Sequence, residues 1–253
     1  MACWREGEGH VVVKSGGGDK DFYRTAAKVC VMEPLLIVGI AVLIGVIAYF
    51  AWKAEQKRRA EFSAWAAAND WSYSHHRNRE VYHRFSFLDR LQKGSNRYAF
   101  HCLEGKWQDY GAMGFSFHYE THSYDNKGRR RTHHHYLGVV VIHIEKAFPE
   151  LRLQPEGWLN RLGHAIGFQD IDFESVEFSK AFEVKSADKK FAFDFCHTGM
   201  MEYLLQNRDT SIEVDGPYLA LYDRHKLEPN EIEPYLNHLI QIRQLMPEFL
   251  FRD

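Results

Sequence analysis

The sequence predicts an α+β fold: one N-terminal transmembrane helix followed by a soluble domain of antiparallel sheet with packed helices. Three observations predict it. Pro34 to Trp52 is an apolar run of 19 residues without a charge, and as a helix it spans roughly 28 Å, the thickness of a hydrocarbon core. Beyond it lie aromatic-rich runs in which apolar and polar residues alternate, the period of a half-buried strand. Single helical stretches separate these runs, and turn residues join the strands without long crossovers, which selects antiparallel sheet.

Taken in order, residues 1–31 contain Gly16–Gly18 and little periodicity. They read as a disordered leader or a misplaced start, with Met32, just before Glu33-Pro34, the natural beginning. The span of residues 34–52 closes with Tyr49 and Trp52, whose amphipathic rings favour the headgroup level. It runs directly into charged helix without a small-x-small cleavage site, so it reads as an anchor rather than a signal peptide. Lys53, Lys57, Arg58 and Arg59 then place the following domain on the cytoplasmic side. Upstream, Lys20, Arg24 and Lys28 weaken that bias over the whole chain, and a start at Met32 removes them. Residues 53–150 carry a net charge of +5 and residues 151–253 a net charge of −7. A basic half next to the span suits an anionic cytoplasmic leaflet, and the expected contacts are with the lipid bilayer.

Residues 53–69 read as a juxtamembrane helix stopped at Asn69. Residues 70–150 form a β-rich membrane-proximal subdomain and residues 151–253 an α+β distal one. Strands are expected at Tyr98–Leu103, Tyr110–Tyr124 and Thr132–Ile144, with Phe115, Phe117 and Tyr119 on one face of the second and Asp125 to Gly128 as its hairpin turn. A short strand at Pro149–Gln154 precedes a helix from Pro155 to about Ala165. Asp172–Phe178 and Ala181–Lys185 read as paired strands, and Asp188–Gln206 as a helix interrupted around Gly199. Ser211–Val214 and Tyr218–Tyr222 read as a hairpin across Asp215-Gly216-Pro217. Pro229–Leu245 closes the chain as an amphipathic helix with Ile232, Leu236, Leu239 and Ile240 on one face.

Composition excludes several classes. A formal net charge of −2 over 253 residues does not suit a nucleic-acid binder, and four cysteines without a CxxC pair exclude a disulfide scaffold or cysteine-rich zinc module. No nucleophile elbow, P-loop, HExxH or GxGxxG is present. Cys102 and Cys196 neighbour His101 and His197 in sequence, but buried packing is the ordinary role of such cysteines. Catalysis is therefore not indicated. Fifteen histidines are the unusual feature, with His133, His134 and His135 consecutive. A turn centred on Asn126-Lys127 sets His118 against His135 and Glu120 against His133, a face of imidazole and carboxylate suited to zinc or nickel. A polar outer face of an ordinary hairpin explains the same residues, and a register slip of one dissolves the cluster. Arg129, Arg130 and Arg131 make a basic tip for anionic lipid, each contributing about 1 kcal/mol near such a surface, or else a solvated loop.

The segment from Phe173 to Asn207 carries a Phe-Glu-Ser opening, Phe178, Phe182 and Val184, an Asp-x-x-Phe-Ala helix start at Asp188, Phe191 and Ala192, and a Met-Glu-x-Leu-Leu stretch from Met201 to Leu205. It resembles a family of uncharacterised bacterial membrane proteins with a short N-terminal hydrophobic segment and a cytosolic-type domain. Gly105, Tyr119 and Thr132 to Val139 match more loosely, so the resemblance covers most of residues 85–250. It implies a single-pass protein of the inner membrane and brings no activity with it. The His-rich hairpin is not part of the pattern. The reading that results is a membrane-anchored cytosolic interaction or scaffold domain with a protein partner and no nucleic acid. Its rival is a metal-dependent enzyme or metal sensor built on the hairpin face.

Overall fold

The computed structural model of the protein describes residues 20–156 and 169–252. It confirms the α+β class: a long N-terminal helix precedes an antiparallel sheet with packed helices. Helix α1 (Lys20–Ala68) begins upstream of Met32, within the stretch expected to be a leader; residues 1–19 of that stretch lie outside the described residues, as does most of the helix expected at Pro155–Ala165. The chain divides into two compact units, the first ending at Glu55 and the second beginning at Gln56.

In the first unit, the side chains from Leu36 to Trp52 are exposed, and the apolar window of α1 is 0% buried within the protein. Among the described residues this is one helix long and apolar enough to cross a membrane. Ile37, Val42, Ile44, Ile47 and Phe50 stand open all round it. A helix that is apolar on every face has no soluble partner surface to choose.

Among the described residues, the second unit is built on seven strands: β1 (Ser72–Ser74), β2 (Ser95–Trp107), β3 (Tyr110–Tyr124), β4 (Arg130–Pro155), β5 (Gln169–Asp170), β6 (Phe182–Ser186) and β7 (Ile212–Asp223). The order is β1-β2-β3-β4-β6-β5, with β7 along the other side of β4. β4 runs 26 residues and organises the rest: its first half pairs with β3, its end with β6, and its middle and end with β7. The strand expected at Pro149–Gln154 is thus its continuation, and residue 150 falls inside it.

Both faces of the sheet are buried over its central strands. Phe115, Phe117, Tyr119, Leu137, Val139 and Val141 lie against Val81, Phe85, Leu88 and Leu91, supplied by α2 (Arg79–Arg84), the 3₁₀ turn Asp89–Gln92 and the link between them. Val140, Ile142 and Ile144 point the other way, into a larger core with α3 (Val176–Ala181), α4 (Lys189–Phe195), α5 (Thr198–Gln206) and α6 (Ile232–Leu245). The apolar run Leu137–Ile142 follows from this, because a strand covered on two sides loses its alternation. From the end of α1, Phe62 and Ala66 join the larger core, and Phe62 stacks on Tyr73 with ring centroids 5.5 Å apart.

Two expected strand pairs are replaced. Asp172–Phe178 is not a strand; Ser175 accepts from the Phe178 amide at 3.3 Å and starts α3, and β6 pairs with β4 and β5 instead. The expected hairpin at residues 211–222 is one strand, β7, bent at Gly216, whose φ of +55° suits glycine. Both arms pair with β4, and the bend still brings the Tyr222 amide to the Ser211 carbonyl at 2.9 Å. The interrupted helix is α4 and α5, broken at Cys196-His197. His197 caps α5, with Nδ1 accepting from the Gly199 amide at 3.2 Å and Nε2 therefore donating to the Leu245 carbonyl at 2.8 Å.

Candidate functional site

The β3–β4 hairpin carries the histidines, and its turn decides which of them meet. Asp125 caps the turn: its carboxylate accepts from the Lys127 and Arg129 amides, both at 2.9 Å, and its carbonyl from the Gly128 amide at 2.9 Å. Gly128 sits at φ +73°. The loop is Asp125–Arg129, and Tyr124 opposes Arg130. An odd number of loop residues shifts the register one place from a turn centred between Asn126 and Lys127. His118 consequently faces Tyr136, Glu120 faces His134, and His122 faces Thr132. The expected pairs His118/His135 and Glu120/His133 do not form, because successive strand residues point to opposite faces.

His133 and His135 belong to the other face. There the His135 ring stacks on Tyr119 at 4.8 Å and meets the Thr121 hydroxyl at 2.7 Å, while His133 Nε2 meets the Ser123 hydroxyl at 2.8 Å. Burial, with His133 close by, pulls the His135 pKa below its ordinary value.

His118, Glu120 and His134 come together instead, each offering one donor atom with all three atoms within 4.8 Å of one another. His118 Nε2 is 3.1 Å from His134 Nδ1, which is 3.5 Å from Glu120 Oε1. His118 is buried, Glu120 half-buried and His134 exposed, so the cluster opens to solvent on one side.

Asn96 holds the two inner members. It sits at φ 48°, a left-handed conformation that asparagine tolerates, where the β2–β3 register shifts between Ser95 and Tyr98. Its carbonyl lies 3.1 Å from His118 Nδ1, and its side-chain amide donates to Glu120 Oε1 at 2.7 Å. A carbonyl only accepts, so Nδ1 carries the proton and the Nε2 lone pair of neutral His118 faces the cluster. Burial holds the His118 pKa below its ordinary value, and the Asn96 amide does the same for the Glu120 carboxyl. Asn96 was not singled out from sequence, although Gly94-Ser95-Asn96 at the start of a strand is the composition of a bulge.

The remaining expected residues are spread over the molecule. Tyr49 and Trp52 lie exposed on α1, with ring centroids 6.3 Å apart. Lys53 is exposed, Lys57 pairs with Glu61 at 3.5 Å, and Arg59 is half-buried. Arg58, within the second unit, donates to Glu228 at 2.8 Å. At the hairpin tip, Arg129 pairs with Asp125 at 3.0 Å, Arg131 lies 4.0 Å from the same carboxylate and Arg130 reaches His122 at 2.6 Å; all three arginines remain exposed. Cys102 and Cys196 are buried; burial pushes the Cys102 thiol up to about 12 and the Cys196 thiol up as well. Neither is poised as a thiolate nucleophile.

Two polar features were not legible from sequence. An open groove of about 1140 Å³ is lined by Tyr203, Thr210, Asp223, Tyr235 and His238 among others. Inside the domain, Glu213 accepts from the Asp89 amide at 2.7 Å and the Tyr222 hydroxyl at 2.9 Å, and burial lifts its carboxyl to about 7. The first bond pins the Asp89–Gln92 turn to β7 from the interior, and the second joins the two arms of β7.

Fold and site together define an α+β protein with one candidate membrane-crossing helix and a His/Glu triad on a hairpin. No protein-family model matches the chain, and neither does any curated protein sequence, so the family resemblance seen in the 173–207 segment has no independent support. A crystal structure of the mycobacterial trehalose monomycolate transport factor A, TtfA, is similar at 11% identity and a TM-score of 0.48, over 74% of this chain and 90% of that one.

Proposed function

We propose that this chain is a single-pass protein of a bacterial inner membrane whose domain, from Gln56 onward, faces the cytoplasm and acts by holding a protein partner. The observation that carries the reading is the apolar helix from Leu36 to Trp52, whose large side chains are exposed among the described residues. Exposure of that much contiguous apolar surface is unfavourable in water and favourable in a bilayer. Lys53, Lys57 and Arg59 next to the span support the cytoplasmic side. Arg58 supports it less, since Glu228 engages it.

An interaction role is favoured over catalysis because the buried thiols are unreactive and the imidazoles of His101 and His197 are engaged by Tyr73 and the α5 cap. Affinity purification of the intact protein from its native membrane, followed by mass spectrometry, tests this. The expected outcome is one protein recovered at near-equal amount. Recovery of the chain alone, under mild detergent and after crosslinking, contradicts a scaffold role.

A further inference from the structure

We propose that His118 Nε2, His134 Nδ1 and Glu120 Oε1 are the protein ligands of a zinc-class divalent metal ion, with a fourth position open to solvent. The inference does not depend on the membrane reading, and neither result below bears on where the domain sits.

Ligand spacing is the first argument. Tetrahedral zinc with bonds of about 2.0–2.2 Å sets its donor atoms roughly 3.3–3.5 Å apart. The structure holds the two imidazole nitrogens 3.1 Å apart and nitrogen and carboxylate oxygen 3.5 Å apart. All three atoms lie within 4.8 Å of one another, and side-chain rotation would bring them onto one centre. Two imidazoles and one carboxylate are also a donor set that suits zinc, whereas calcium and magnesium favour all-oxygen shells.

Orientation is the second. A metal-binding histidine typically gives its other ring proton to a carbonyl, which fixes the tautomer and aims the lone pair. The Asn96 carbonyl serves His118 in this way, and the Asn96 amide steadies Glu120 from the same residue. One bulged asparagine thus orients two donors on two successive same-face positions of β3. The third, His134, comes from β4 across a register fixed by the Asp125 turn. Bulges beside functional groups commonly re-aim a side chain in this manner. His134 is exposed, so the metal has an entry path and an open face.

Without metal the same atoms are self-consistent: His134 Nδ1–H donates to His118 Nε2. Zinc replaces that proton, which moves to the outward Nε2 of His134. The experiment must therefore show that the cluster takes metal in preference to keeping its hydrogen bond, and that these histidines do so rather than their neighbours.

Full-length protein carrying no polyhistidine tag is stripped with chelator in detergent and titrated with zinc chloride by calorimetry. One equivalent should bind, and cobalt(II) should give the intense visible absorption of a tetrahedral site. His134→Ala should weaken zinc by about tenfold or more and Asn96→Ala by about tenfold, while His133→Ala and His135→Ala change it less than about twofold, since both point to the other face. His134 is exposed, so its variant tests binding without disturbing the core; melting temperature checks that all four variants fold. Binding of less than a tenth of an equivalent overturns the proposal. So does an equal loss from His133→Ala and His134→Ala, which would mean non-specific capture by surface histidines.

Discussion

At the scale of single residues, a missing methyl group next to the His118 face fixes how the chain is layered. Gly138 lies on β4 under the segment that leads into α6. A Cβ there would stand 3.1 Å from the Leu227 nitrogen, 3.2 Å from the His225 carbonyl oxygen and 3.3 Å from the Leu227 Cα. These are backbone atoms, and the Leu227 amide is already tied to the Ser116 hydroxyl at 3.1 Å. Gly138→Ala must therefore push the segment away and loosen that bond. Overpacking of this kind costs about 1–3 kcal/mol, against which the alanine recovers about 0.5–1 kcal/mol of backbone entropy. A net loss near 1 kcal/mol is expected in urea unfolding. Gly111 is the control, because its Cβ would meet only the His143 Cβ at 3.9 Å. Gly111→Ala should be neutral or stabilising, and equal effects from the two would undo the argument.

At the scale of elements, His238 links α6, α5 and the segment before β7. It sits on α6, its Nδ1 is 2.6 Å from the Tyr203 hydroxyl on α5, and its Nε2 is 2.9 Å from the Thr210 hydroxyl before β7. Burial pulls its pKa down to about 4. The unfolded chain, with an ordinary histidine near 6.5, binds more protons than the folded one between those values, so stability falls as pH drops from 6.5 toward 4. The loss approaches at most about 3 kcal/mol. His238→Gln, which cannot be protonated there, should show a flatter urea midpoint between pH 7 and pH 4.5. An unchanged slope would assign the acid sensitivity elsewhere.

The same scale explains what the sequence made legible. β3 was readable residue by residue because one of its faces alternates cleanly, and α6 because its apolar positions recur at helical spacing. The hairpin itself was legible too, but not its register. Whether Gly128 takes a left-handed turn position inside a five-residue loop is a backbone matter that residue type leaves open, and it decides between His134 and the pair His133/His135. At Asp172–Phe178 the aromatic residues read as strand, yet the Ser175 cap outweighed that pattern over a six-residue helix. β7 shows the reverse case: the turn signal at Gly216 was real, but long-range pairing with β4 used it as a bend rather than a hairpin. Local signals set the elements, and the partners across the sheet set the register and the site.

For the whole molecule, the division at Glu55 and Gln56 separates a bare apolar helix from a domain with cores on both faces of its sheet. The domain buries its own apolar residues, and the large apolar side chains of the helix from Leu36 to Trp52 are exposed. Under the proposed reading, the apolar helix would anchor the chain and the domain would fold by itself. The most direct measurement is protease treatment of intact spheroplasts, with the domain detected by an antibody to the α6 region. The domain should survive while the cells are sealed and be digested once the membrane is permeabilised. Digestion of the domain in sealed spheroplasts would place it outside and contradict the account.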